Sequence, residues 1–310
     1  MVELDVSIPS KEVVLSGTLC LPHEGGKFPT ALWLQGSGPI DRDDNIPGQA
    51  LNNSKSVAHH LAANGIATLR FDKRGVGKST GEYLSAGHSD LVEDGLNCLK
   101  FLSKSNHCDS HLLFAIGHSE GAIIAPQIAQ KLEGIAGIVL VCPTIEDPES
   151  LLMRQAQEMK NMVDAQSWFK RPLAKLFTKV IDPIKSNRKA IAKTKNTDAK
   201  AGRLGFSKQP FYWFRQFLAL NLVEIYKNTT CPILALAGEK DFQCTPSDVY
   251  KIAGVVQGEY EFHIIEDMSH MLRSEPGEAC VFNYAAQLKQ PIEPKVLTLI
   301  CGWLQQRCRQ

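Results

Sequence analysis

The chain has 310 residues, enough to bury a large core in one α/β domain or in two smaller ones. Its 34 basic and 33 acidic side chains leave a net charge of +1, which argues against a nucleic-acid partner or an anionic-membrane binder recruited by overall charge. Nine cysteines, odd in number and without a C-x-x-C pair, fit reduced thiols better than a disulfide framework, and no apolar run reaches the length of a transmembrane helix.

The opening MVELDVSIPSKE is polar and acidic, with neither the basic n-region nor the apolar stretch of a secretory leader, so the expected location is the cytoplasm. KEVVLSGTLCLP (11–22) reads as a pair of extended segments or one bent strand. Buried strands are predicted at 30–36, 66–72, 112–117, 135–142, 232–238 and 260–267, where β-branched and apolar residues end in Gly, Asp or Cys. Helical patterns lie between and after them, at 53–64, 88–104, 120–132, 246–257 and 294–308. This alternation predicts an α/β fold with a mostly parallel central sheet flanked by helices. From Ile145 to about Thr230 no strand pattern appears, only helical periodicity interrupted at Pro172, Pro183 and Pro210. A block this long is not a loop. The expected organisation is therefore a core of residues 1–144 and 231–310 carrying an inserted helical cap, 145–230.

LLFAIGHSEGAIIAPQIAQK (112–131) raises the question of chemistry. Ser119 sits between an apolar strand and a helix, where it is either a helix N-cap or a nucleophile on a sharp turn. A G-x-S-x-G match is cheap alone, so its partners must decide. A serine nucleophile needs a base, and the base needs an acid to orient it. In such sheets these groups gather at the carboxyl ends of strands. Asp241 follows the strand at 232–238 and His270 follows the next, giving the order Ser, Asp, His. Glu239 is the rival acid, next to the turn itself; His263 is expected to line a strand or the core. HCDSH (107–111) has metal-like spacing but lies at the amino end of a strand, away from that edge, so no metal is expected.

With four motifs in register the chain resembles an α/β-hydrolase, in particular bacterial esterase-like hydrolases with a helical cap. QGSGPIDRD (35–43) resembles the H-G-x-G-P loop, FDKRGVGKST (71–80) the D-x-R-G-x-G-x-S segment, and GHSEG the nucleophile elbow; the Asp and His loops complete the set. The resemblance implies that the backbone N–H groups of Ser37 and Glu120 form the oxyanion hole. Gln35 departs from the usual His and is expected to brace the loop by hydrogen bonding. FDKRGVGKST does not meet the phosphate-loop pattern, because Asp72 stands where a Gly is required; Asp72 and Arg74 are expected to pair and brace the loop.

The resulting expectation is a serine hydrolase that cleaves a small-molecule carboxylic ester, of small to medium acyl or aromatic character, and needs no cofactor. Thioesterase, aminopeptidase and carbon–carbon hydrolase remain open on the same triad, as does a hydrolase-fold ligand receptor with little turnover. Gly36, His118, Trp168, Trp213 and Phe214 are the candidate pocket residues. The aromatic run in QPFYWFRQF (209–217) cannot all face one core, so part of it is expected in an apolar roof over the serine. The basic residues between Lys170 and Lys208 are a solvated face or a weak attractor of anionic substrates or surfaces.

Overall fold

The computed structural model describes residues 1–165, 182–205 and 207–309. Strands β1 (Val2–Ser10), β2 (Val13–Leu21), β3 (Phe28–Leu34), β4 (Ala67–Phe71), β5 (Cys108–His118), β6 (Gly137–Val141), β9 (Ile233–Gly238) and β10 (Tyr260–Ile265) form one sheet, in the order β1-β2-β4-β3-β5-β6-β9-β10. The β1–β2 and β2–β4 pairs are antiparallel and all the others parallel.

The central strands are apolar on both faces because both faces are covered. Leu113, Ala115, Ile138, Leu140, Ile233 and Ala235 point to one side, onto α2 (His88–Ser103) and α3 (Glu120–Ala129). Their neighbours Phe114, Ile116, Val139, Val141, Leu234 and Leu236 point to the other, onto α1 (Asn53–Ala63) and α10 (Pro294–Arg307). A side-chain period of two divides each strand between two cores.

The first strand departs from expectation. The polar opening is β1, hairpinned to β2 in a two-residue reversal through Lys11, whose φ is 52°. Val2, Leu4 and Val6 pack on the core while Glu3 and Asp5 face outward, the alternation of an edge strand with one wet side.

Pro126 lies inside α3 and deprives the Ala122 carbonyl of its helical donor. The hydroxyl of buried Tyr226 points at that carbonyl from 3.4 Å and at Thr144 O from 3.1 Å.

Between β6 and β9 the described residues form α4 (Pro148–Asp164), α5 (Pro183–Lys195), a hairpin of β7 (Gly202–Leu204) and β8 (Ser207–Gln209), α6 (Phe211–Leu218) and α7 (Leu222–Lys227). The strand-free reading of this block is thus corrected: three-residue strands are too short to carry a period. Pro183 begins α5 and Pro210 precedes α6, positions where a missing N–H costs nothing. Asp147 and Asp182 cap α4 and α5, accepting from Ser150 N at 2.9 Å and Ile184 N at 3.0 Å. Pro172, Trp168 and the basic residues from Lys170 to Lys179 lie outside the described residues. After β9 come α8 (Asp248–Ala253) and α9 (Tyr284–Gln287). Among the described residues no helix is long and apolar enough to cross a membrane.

Candidate active site

Ser119 occupies the single residue between β5 and α3, at the carboxyl end of a strand in the middle of the sheet. Its φ of 55° and ψ of −113° are a strained conformation for a side chain other than glycine. The turn exists because both flanking glycines lack a Cβ: one on Gly117 would run into the Gly121 carbonyl, and one on Gly121 into that of Leu34. Ser119 stands at the N-cap position of α3, but its side chain accepts no hydrogen bond from the helix and so does not cap it.

Asp241 and His270 stand on the loops after β9 and β10. The loops lie in contact: Lys240 N donates to Met268 O at 2.9 Å, and a Cβ on Gly238 would collide with that same carbonyl. His270 reaches Asp241 Oδ2 through Nδ1 at 2.7 Å and Ser119 Oγ through Nε2 at 3.1 Å. Asp241 Oδ1 accepts from Gln243 N at 2.8 Å and Cys244 N at 3.0 Å. Burial alone would raise this carboxyl, but the imidazole and the N–H donors outweigh it and hold its pKa below the usual value. Because the ionised Asp241 carboxylate can only accept, Nδ1 of His270 is the donor and Nε2 is left to accept from Ser119.

Glu239 plays a different part. Half exposed, it accepts from Asp267 N at 3.1 Å and braces the two loops. His263 is not a core residue: β10 is an edge strand, and the half-exposed ring pairs with Glu261 at 2.8 Å. His107 is half-buried and His111 exposed, and neither belongs to a cluster of potential metal ligands among the described residues. His118 is buried, its Nε2 3.1 Å from His270 O. Burial, with the neighbouring His270, pushes its pKa down to about 3, so the ring is neutral and donates to that carbonyl.

The loop after β3 brings Gly36, Ser37 and Gly38 to the serine; a Cβ on Gly36 would lie 3.4 Å from that of Ser119. Gln35 does brace this loop, donating to Phe71 O on the neighbouring strand. Asp72 and Arg74 do not pair. Asp72 takes the Arg42 guanidinium at 2.8 Å and Lys78 N at 3.0 Å, whereas Arg74 pairs with Asp94 of α2 at 2.7 Å. The partners Arg42 and Asp94 are remote in sequence, so nearness along the chain does not pair Asp72 with Arg74. Lys73, between them, is buried with Nζ 2.9 Å from Glu120 Oε2 and 2.5 Å from Gly36 O. A buried acid needs a buried cation, and Glu120 next to Ser119 is such an acid.

A cavity of about 890 Å³ opens above Ser119 and His270. Gly36, Ser37, His118 and Glu120 lie on its lower wall, and Leu151, Leu152, Trp213, Phe214 and Phe217 reach it from the segment between β6 and β9. Trp213 stacks on Phe217 with ring centroids 4.9 Å apart and meets Phe214 edge-on at the same distance. Phe211 points away, buried against Gly202, so the aromatic run divides between cavity and seam.

The family described as "Serine aminopeptidase, S33" matches residues 48–277. Esterase EstD of Thermotoga maritima is 25% identical over 294 residues, 94% of this chain; the chain spans 65% of the length of that curated relative. Among solved structures, Est1E of Butyrivibrio proteoclasticus with ferulic acid bound superposes with a TM-score of 0.65 at 14% identity, over 98% of this chain and all of that one. The Pyrococcus furiosus esterase Pf2001 gives 0.63 at 19% identity, over 99% and 91%. At such identities the likeness is one of fold.

Proposed function

The chain belongs to the serine aminopeptidase S33 family of α/β-hydrolases, and from that membership we propose that it is a carboxylesterase-like serine hydrolase acting on esters of small to medium acyl or aromatic groups. One observation carries this reading: the hydrogen-bonded chain Ser119–His270–Asp241 at the floor of an apolar cavity. His270 Nε2 takes the Ser119 proton as Oγ attacks the ester carbonyl, and the carbonyl π electrons move onto oxygen. The Ser37 and Glu120 N–H groups receive that oxyanion. Its collapse expels the alcohol, which leaves with the proton held by His270. Water, deprotonated by the same nitrogen, then releases the acid and regenerates the serine. Asp241 holds the tautomer and stabilises the imidazolium; no cofactor enters.

Residues 145–230 act as the lid of the acyl site, with Trp213 and Phe214 in its roof, and Lys208 at the cavity edge gives anionic substrates a weak attraction. A second reading, cleavage at a free amino terminus, is favoured by the family's description. A fluorophosphonate should label Ser119 covalently, and Ser119→Ala should lower kcat about 10⁴-fold. A panel of acyl esters, thioesters and aminoacyl anilides ranks the readings by kcat/KM. Labelling elsewhere, or undiminished turnover in the variant, defeats the mechanism.

A further inference from the structure

The ion pair beneath the serine has a geometry that ordinary packing does not require. Lys73 and Glu120 have side chains 3% and 2% exposed. Removing two charges from water costs free energy that their attraction barely offsets, so a buried pair is not retained for stability alone. Burial would raise the Glu120 carboxyl, but the Lys73 charge and the nearby His88 outweigh it and hold its pKa at about 2. The Glu120 carboxylate is therefore ionised at neutral pH.

What the pair touches gives it a use. Lys73 Nζ also donates to the Gly36 carbonyl, at 2.5 Å. That carbonyl and the Ser37 N–H belong to one peptide unit, and in a trans peptide the two point in opposite directions. Anchoring the oxygen on Lys73 aims the Ser37 N–H the other way. The anchor matters because a peptide following glycine turns over with little steric resistance. Turned over, it would present a carbonyl oxygen where the oxyanion needs a donor. The other donor, the Glu120 N–H, belongs to the residue whose carboxylate holds Lys73 in place. A third arm comes from above, where the Trp213 indole Nε1–H on α6 donates to Glu120 Oε1.

We propose that Lys73, the Glu120 carboxylate and Trp213 are positioning residues that latch the Gly36–Ser37 peptide and so make oxyanion-hole assembly depend on the seating of α6 over the site. The inference rests on the serine-hydrolase reading above. It means that the segment between β6 and β9 does more than shape the acyl pocket: with α6 displaced, Glu120 loses an arm and the hole loosens.

The test compares an aryl acyl ester with its thiono analogue. Sulfur is a large, poor hydrogen-bond acceptor, so a well-aimed hole prefers the oxygen ester, while a loss of folded protein slows both equally. Lys73→Met with Glu120→Gln removes both charges and leaves neither alone. It should lower kcat on the oxygen ester by about 10²-fold with KM changed less than about threefold, and cut the oxygen-to-sulfur preference by about tenfold. Trp213→Phe keeps the stack on Phe217 and loses only the N–H donor; it should cut the preference about threefold, and it decides the matter alone if the double variant does not fold. An unchanged preference in the folded variants of an active enzyme overturns the inference. A wild type that turns over neither ester overturns the esterase reading and this inference with it.

Discussion

Asp44 provides a test of the pocket wall that needs no substrate. It is 2% exposed, its Oδ1 accepts from the Trp33 indole at 3.1 Å, and its Oδ2 is buried with no hydrogen-bond partner among the described residues. Burial is the largest influence on the carboxyl, opposed by the Trp33 N–H and the Lys73 charge, and its pKa rises from 3.8 to about 7. The folded protein thus keeps the Asp44 proton over a pH range in which the unfolded chain has released it. Stability from this group is fully present below the unfolded chain's pKa and is lost as pH rises through 7. At about 1.4 kcal/mol for each pKa unit, the loss between pH 3 and 8 approaches about 4 kcal/mol. Asp44→Asn keeps the acceptor for Trp33 and cannot ionise. Urea unfolding of wild type and variant at half-unit steps from pH 4 to 8 measures the difference directly. The variant should gain on the wild type steadily as pH rises and be the more stable protein at pH 8. A difference independent of pH would mean that Asp44 is ionised in the fold throughout, and that its burial is relieved by contacts beyond those described.

Three further outcomes are expected. Asp241→Asn should cut kcat by about 10³- to 10⁴-fold without unfolding the protein, since it disturbs the group that directs Nδ1 of His270, whereas Glu239→Gln should be mild; steady-state kinetics on both variants would refute the assignment if the order were reversed. Lys73→Met should destabilise by about 3–5 kcal/mol because it strands a buried carboxylate, and adding Glu120→Gln should recover most of the loss; a single-variant cost below about 1 kcal/mol in urea unfolding would refute a dry ion pair. Affinity should rise by up to about 0.8 kcal/mol per acyl methylene until the cavity is full, and Trp213→Ala or Phe214→Ala should move the optimum chain length; a profile unchanged by both would mean that these rings do not meet the acyl chain.

The features legible in the sequence are those that local physics determines. Strands buried on both faces are apolar at most positions, so β3 to β6 and β9 announce themselves without knowledge of their neighbours. The turn at Ser119 needs glycine on both sides for steric reasons internal to a strand–turn–helix unit, so GHSEG was readable as a sharp turn. Asp241 and His270 can be singled out in the sequence because chain order and strand ends restrict where partners of a serine can stand, and the fold brings the three side chains within hydrogen-bond distance. β1 is not legible because an edge strand with one wet face reads as a polar segment, nor are β7 and β8, which are too short to show alternation.

Only the tertiary structure decided who pairs with whom. Asp72 lies two residues from Arg74 yet takes Arg42, and Arg74 reaches across to Asp94, because the chain leaves β4 after Phe71 and turns, so the rule that puts i and i+2 on one face of a strand no longer holds there. Lys73 meets Glu120 across 47 residues, and Trp213 meets Glu120 across 93. A buried charge must find a partner, and the sequence shows that requirement as soon as the acid is seen beside the serine. Which cation answers it depends on the packing of β4, α3 and α6 in three dimensions, and no local pattern encodes that distance.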